Sequence, residues 1–203
     1  MIMRQWMQLC LLLPVFWTAT AHADSNTQPL PANSVYQTAL SLRDQNGQAF
    51  TLASLRGHPV LISLFYASCQ SACPLNIQAI QRIRAAVKVR THHSAPPVIL
   101  ISFDPDHDTV QALSMTATMH QLTAPVWRLT RPEHGDVRAF AATLGVSYRK
   151  RPNGDFSHNV EIALLDADGR IVTETSEVNA PDPTFVAAIT HAMRPEKNRR
   201  IQP

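Results

Sequence analysis

The chain has 203 residues, 45% of them hydrophobic and 16% charged, with a formal net charge of +3. Cations and anions nearly balance and no basic block precedes the final ten residues, which excludes the electrostatic footprint of a nucleic-acid binder. The length suits an export segment followed by one domain with its own core.

Residues 1–23 carry Arg4 as their only charge, then an apolar stretch over 6–17 broken by Gln8 and Pro14. They end in Ala21-His22-Ala23, a small-x-small cleavage pattern, and read as a secretory signal peptide. The apolar stretch is short against the roughly 20 residues of a membrane span. The protein is therefore expected in the periplasm, tethered to the membrane only if this segment is retained. Cys10 would leave with the signal, so the mature cysteines would be Cys69 and Cys73. Residues 24–39 read as a leader, 40–193 as the domain and 194–203 as a solvated basic tail.

Apolar alternation over 40–43 and 49–52, around the turn Asp44-Gln45-Asn46-Gly47, predicts a hairpin, and 54–57 a tight connection. The run 60–65 predicts a buried strand. Ile77, Ile80, Ile83 and Val87 then recur at helical spacing, which predicts an amphipathic helix whose first turn follows Cys73. A second buried strand is expected over 98–103 and a second helix over 108–121, with Asp108 as its N-cap. A short strand over 126–129, a helical stretch over 133–144, a hairpin of 160–165 with 170–174, and a last helix over 183–193 complete the pattern. Strands alternating with helices, closed by a hairpin and a helix, predict a thioredoxin-like α/β fold, a three-layer sandwich with an N-terminal β-hairpin.

The chemistry is expected at Cys69-Gln70-Ser71-Ala72-Cys73-Pro74, between the first buried strand and its helix. A thiolate at a helix N-terminus is stabilised by unpaired N–H groups and the helix dipole, so its pKa is expected to fall. A disulfide between residues so close closes too small a loop to brace a fold, and points to function instead. A C-x-x-C pair suits disulfide exchange. The extra residue in C-x-x-x-C sets both sulfurs one helical turn apart on one side, where they can present two thiolates to one ion. Two soft sulfurs suit Cu(I), and a Cys/Cys/His set suits a low-coordinate copper site better than a closed zinc site with four ligands.

Of the histidines beyond the signal segment, His158 is selected as third ligand. It lies in Asp155-Phe156-Ser157-His158-Asn159, expected as the loop entering the 160–165 strand and facing the N-terminus of the cysteine helix. His107, His92 and His93 read as solvent-exposed, and Asp104 takes no assignment.

Three features in order then resemble the SCO/SenC family of copper-binding cytochrome oxidase assembly proteins. They are Cys69-x-x-x-Cys73-Pro74 after an apolar strand, Asp104-Pro105-Asp106-His107-Asp108 at the end of the next, and His158 ahead of the Asp166-Ala167-Asp168-Gly169 turn. The resemblance covers roughly residues 40–192 and implies that Cys69, Cys73 and His158 bind copper, with the cysteines also cycling between dithiol and disulfide. It implies a metallochaperone rather than an enzyme, with an apo copper oxidase subunit or another copper protein as recipient. It also implies a thiol reductant, such as a periplasmic thioredoxin-like protein, as a partner. The alternative is a periplasmic thiol-disulfide reductase that keeps the recipient's copper-ligand cysteines reduced, with Cys69 and Cys73 as its redox pair.

The chain departs from the family pattern in having Gln70-Ser71 where members usually have Pro-Asp, and Ser157 where an acidic residue usually precedes the histidine. Fewer carboxylates beside the sulfurs are expected to lower the thiol pKa.

Overall fold

The computed structural model describes residues 28–69, 72–92 and 94–194. The signal peptide expected over 1–23, the tail beyond Arg194, and Gln70, Ser71 and His93 lie outside the described residues.

A 3-10 turn, Val35–Gln37, precedes the hairpin β1 (Ser41–Asp44) and β2 (Ala49–Thr51). Asp44 builds its turn, its Oδ1 accepting from the N–H groups of Asn46 and Gln48, while Gly47 takes the left-handed conformation at φ 78°. The other oxygen of Asp44 pairs with Arg128 at 2.9 Å, which ties the hairpin to the sheet. Next come β3 (Val60–Phe65), α1 (Ala72–Thr91), β4 (Val98–Ser102), α2 (Val110–Met119) and β5 (Trp127–His134). The chain continues through α3 (Val137–Thr143), β6 (Tyr148–Lys150), β7 (Phe156–His158), β8 (Ile162–Leu165), β9 (Ile171–Thr175) and α4 (Pro183–Ala192).

Seven strands form one sheet in the order β2-β1-β5-β4-β3-β8-β9, and β6 pairs with β7 separately. β3, β4 and β5 are parallel; β1 and β8 join them antiparallel. Every residue of β3, β4 and β8 is buried, as near-continuous apolar runs require when both faces are covered, with Ser63 and Ser102 as buried polar members. α1 packs on α4, α2 lies along β5 and β1, and Phe140 of α3 is fully buried in the core. This is the thioredoxin-like α/β fold opened by a β-hairpin. The register Phe65↔Ser102 ends β3 and β4 level, so the segments that leave them emerge side by side at one end of the sheet.

Several local expectations are corrected. β5 continues to His134, so residues 133 and 134 are strand and not helix. It is drawn out by β1, with Arg43 opposite Arg131 and Ser41 opposite His134, and a register shift between Ser41 and Leu42 accommodates Pro132, which has no N–H to give the ladder. α3 starts only at Val137, because Asp136 accepts from the N–H groups of Arg138 and Ala139. The N-cap of α2 is Thr109, whose hydroxyl accepts from Ala112, and not Asp108. His158 ends the short strand β7 and is not in a loop entering a strand at 160; β8 begins at Ile162. The fold also reaches back before residue 40: Val35 and Tyr36 belong to the core.

Among the described residues no helix is long and apolar enough to cross a membrane.

Candidate metal centre

β3 runs into Phe65-Tyr66 and then a turn in which the N–H of Cys69 reaches the carbonyl of Tyr66 at 3.3 Å. The chain re-enters regular structure in the first turn of α1, which holds Cys73. There the backbone N–H of Cys73 donates to Sγ of Cys69 at 3.3 Å, so sulfur stands where a capping oxygen stands in other helices. Neither cysteine is in a disulfide, and both are buried.

Asp108 fixes this turn from behind. One carboxylate oxygen accepts from the N–H of Ala67 at 2.9 Å and from the hydroxyl of Ser102 at 2.5 Å, which joins the segment leaving β3 to the end of β4. Asp108 is 1% exposed, and burial pushes its carboxyl above the usual range, against the pull of Ser102 and Ala67. Its aspartate neighbour in the motif, Asp104, donates its backbone N–H to Oγ of Ser102 at 3.0 Å, and its carboxylate faces the ring of exposed His107 across 2.9 Å.

The third side of the site is the β6–β7 hairpin. Tyr148 pairs with His158 across it, and the hairpin rests on an aromatic bed. Phe103 stacks on Tyr148 at 4.6 Å, and Phe156 sits 5.1 Å from Phe103 and 5.0 Å from Tyr66. The His158 imidazole lies on the same bed, 5.1 Å from Phe103 and edge-on to Tyr66. Its Nδ1 is 2.9 Å from the carbonyl oxygen of Asn159. A carbonyl only accepts, so Nδ1 is the donor here, and in the neutral ring this leaves the lone pair on Nε2. Asn159 is itself clamped: its Oδ1 accepts from the N–H of Ser147 at 2.8 Å, and its Nδ2 donates to the carbonyl of Gly145 at 2.9 Å.

The donor atoms of Cys69, Cys73 and His158 all lie within 4.8 Å of one another, and no other such group of three occurs among the described residues. An ion held at about 2.3 Å by sulfur and about 2.0 Å by nitrogen in a trigonal plane would separate its donors by roughly 3.5–4 Å. Two thiols and one imidazole could therefore close on a soft ion with small side-chain adjustments. The three selected residues converge. His92 and His107 do not join them.

The thiol electrostatics differ from the sequence expectation. Cys73 is pushed up, well above the usual thiol range, first because its S–H bonds to Cys69 and then because it is buried; the N–H of Tyr66 opposes this. The negative charges of Cys69 and Asp108 add to the rise. The helix N-terminus is outweighed because its N–H is spent on the other sulfur, and Asp108 supplies from α2's side a carboxylate that Gln70 and Ser71 do not. Tyr66 is likewise raised, to about 12, by burial first and then by its hydrogen bond to Cys69.

Sequence reasoning missed Tyr66 and Asn159 and gave Asp108 the wrong partner. An aromatic residue three positions before Cys69 and a polar residue directly after His158 were the available signals.

The SCO1/SenC family model matches residues 29–194 of the chain. A SCO1 protein homolog of Bacillus subtilis (strain 168) is 22% identical over 156 residues, which span 75% of this chain and 80% of that protein. Among solved structures, ScoI of Bradyrhizobium japonicum with copper bound is 26% identical, with a TM-score of 0.60 over 76% of this chain and 97% of that one. A SCO1/SenC family lipoprotein from Bacillus anthracis str. Ames is similar in fold, with a TM-score of 0.69 at 19% identity, covering 81% of this chain and 98% of its own.

Proposed function

The chain belongs to the SCO1/SenC family, and from that membership we propose that it is an exported copper chaperone that carries Cu(I) on Cys69, Cys73 and His158 and delivers it to an apo copper oxidase subunit or another copper protein. The observation that carries the reading is the convergence of two buried sulfurs with one half-buried imidazole whose Nδ1 is already committed to a carbonyl. Soft thiolates supply affinity for a soft cargo, and imidazole completes the shell. The copper-bound Bradyrhizobium relative supports the choice of metal. Residues 1–23 would act as the export signal that sends the 40–193 domain to the periplasm.

The site suggests an order of release. The sulfurs are buried beneath α1's first turn, while His158 sits at the open edge on a short hairpin. A recipient's ligand would therefore displace His158 first and the thiolates afterwards. Loading needs both cysteines reduced, so a thiol reductant such as a periplasmic thioredoxin-like protein is the second partner.

The hydrogen bond between the two sulfurs favours one further reading, a thiol-disulfide reductase acting on a recipient's copper-ligand cysteines. Disulfide exchange needs the sulfurs and their access, with no required part for imidazole. The two readings part at His158→Ala. For a carrier, oxidase maturation in copper-limited cells fails while reduction of a model disulfide persists. Maturation that survives His158→Ala but fails in either cysteine variant would give the function to the reductase.

A further inference from the structure

At the end of the sheet opposite the cysteines, where β4 and β5 begin at Val98 and Trp127, a cleft of about 370 Å³ opens between α1 and the segment joining α2 to β5. Its wall on α1 is a helical stripe, Gln81, Arg84 and Lys88, with Gln121, Thr123 and Trp127 facing it. Two cations and no carboxylate line it.

Arg84 is the unusual member. It is 6% exposed, yet no ion pair among the described residues includes it. A guanidinium has five N–H donors in a planar fork. Among the described residues Arg84 places one of them, from Nη1 to the carbonyl of Ala95, and that bond is long at 3.3 Å. The guanidinium Cζ lies over the Trp127 ring, 5.6 Å from the centroid. Burial lowers the guanidinium's pKa with no opposing charge to hold it up. An ion taken out of water without a partner is costly, and buried charges are ordinarily paired. Lys88 follows one helical turn after Arg84 on the same stripe, so the second cation stands at the rim of the same cleft. Gln81 secures the opposite wall, its Nε2 donating to the carbonyl of His120 at 3.1 Å.

We propose that this cleft binds a small organic oxyanion, a carboxylate or a phosphate ester, seated on the fork of Arg84 with Lys88 as its second cation. The fork geometry of arginine matches both oxyanions. The volume falls within the usual range of small-molecule sites, roughly 300–1,000 Å³, and leaves room for an organic body beside the charged group. Gln81, Gln121 and Thr123 provide further polar contacts around the anion. The cleft lies a full strand length from the cysteines and shares no residue with them, so occupancy is independent of copper.

The test is calorimetric titration of the full chain at low ionic strength with citrate and, separately, with inorganic phosphate, with sodium chloride as control. A Trp6→Phe/Trp17→Phe background leaves Trp127 as the reporting indole for a parallel fluorescence titration. Saturable one-to-one binding of either ion is expected. Arg84→Gln should weaken it by about tenfold or more, Arg84→Lys by less, and Lys88→Gln by a few-fold. Tighter citrate identifies a carboxylate ligand, tighter phosphate a phosphate ester, and equal binding with the same Arg84 dependence the shared oxyanion chemistry. Cys69→Ser/Cys73→Ser should leave these affinities unchanged. No saturation by about 20 mM of either ion, or wild-type affinity in Arg84→Gln, overturns the proposal. If Arg84→Gln does not fold, wild-type affinity in both Lys88→Gln and Gln121→Ala overturns it.

Discussion

The backbone N–H of Cys73 donates to Sγ of Cys69 across 3.3 Å, so the first turn of α1 is organised around a sulfur. The two cysteines are thus unequal. Cys69 is the acceptor, and Cys73 holds its proton more tightly than an ordinary thiol, first through its hydrogen bond to Cys69 and then through burial.

That inequality predicts thiol reactivity in the reduced, metal-free protein. Removing Cys69 removes the largest cause of the raised Cys73 pKa, so Cys69→Ser should lower that pKa and speed the alkylation of Cys73 at pH 8. The rate is read by mass spectrometry with iodoacetamide. Slower labelling of Cys73 in Cys69→Ser would show that access controls its reactivity. In the wild type, Cu(I) should protect both thiols, since a metal-bound thiolate cannot attack.

Copper affinity, measured by competition with a coloured Cu(I) chelator, should collapse in Cys69→Ser or Cys73→Ser by well over about 100-fold, beyond what outer partners of a metal site cost. His158→Ala should weaken it while leaving a two-sulfur site. Tight stoichiometric binding by the double serine variant would remove the site assignment.

Asn159 holds no ion but holds His158, through its own carbonyl at Nδ1 and through its amide clamp on residues 145 and 147. Asn159→Ala should weaken Cu(I) binding by about 10-fold, with the unfolding midpoint little changed. Asn159→Asp keeps the acceptor for Ser147 and should recover part of the loss. Wild-type affinity in Asn159→Ala would show that the hairpin positions His158 unaided.

Asp108→Ala should cost about 2–4 kcal/mol of folding stability, because it strands the Ala67 N–H and the Ser102 hydroxyl in a buried place. Asp108→Asn keeps an acceptor and should cost less. The carboxyl's folded pKa lies above its unfolded value, so its share of stability is present at low pH and is lost as pH rises through the folded pKa. Denaturant unfolding across the carboxyl range should therefore show the wild-type advantage over Asp108→Asn shrinking as pH rises. A growing advantage would reverse the sign.

Gly169 turns the β8–β9 hairpin at φ 79°, and a Cβ there would stand 2.4 Å from the ring of Tyr36. Gly169→Ala should lower stability by more than the roughly 1 kcal/mol of a left-handed alanine, because Tyr36 must move as well. A midpoint equal to wild type would show that the 3-10 turn Val35–Gln37 yields freely.

The amino-acid sequence by itself determined the apolar strands β3, β4 and β8, the helix after Cys73, the hairpin turns at Asp44 and Asp166, and the cysteine pair with its distal histidine. These are local signals: a run of buried side chains, a helical period, a turn residue, a spacing along the chain. Tertiary structure decided what depends on a partner far away in sequence. β5 reaches His134 because β1 lies beside it, and β6 and β7, three residues each, have too short a period to be seen without the aromatic bed under them. Asp108 was read as a cap because its neighbourhood in sequence is a helix start. In space it meets Ala67 and Ser102, and the adjacent Thr109 supplies the cap. Nothing local in the sequence marks Arg84 for burial; it becomes a buried cation beside the Ala95 carbonyl and the Trp127 ring, which only the fold brings to it. Each of these follows from one physical fact: burial and hydrogen-bond partners are properties of the folded surface, which local period cannot encode.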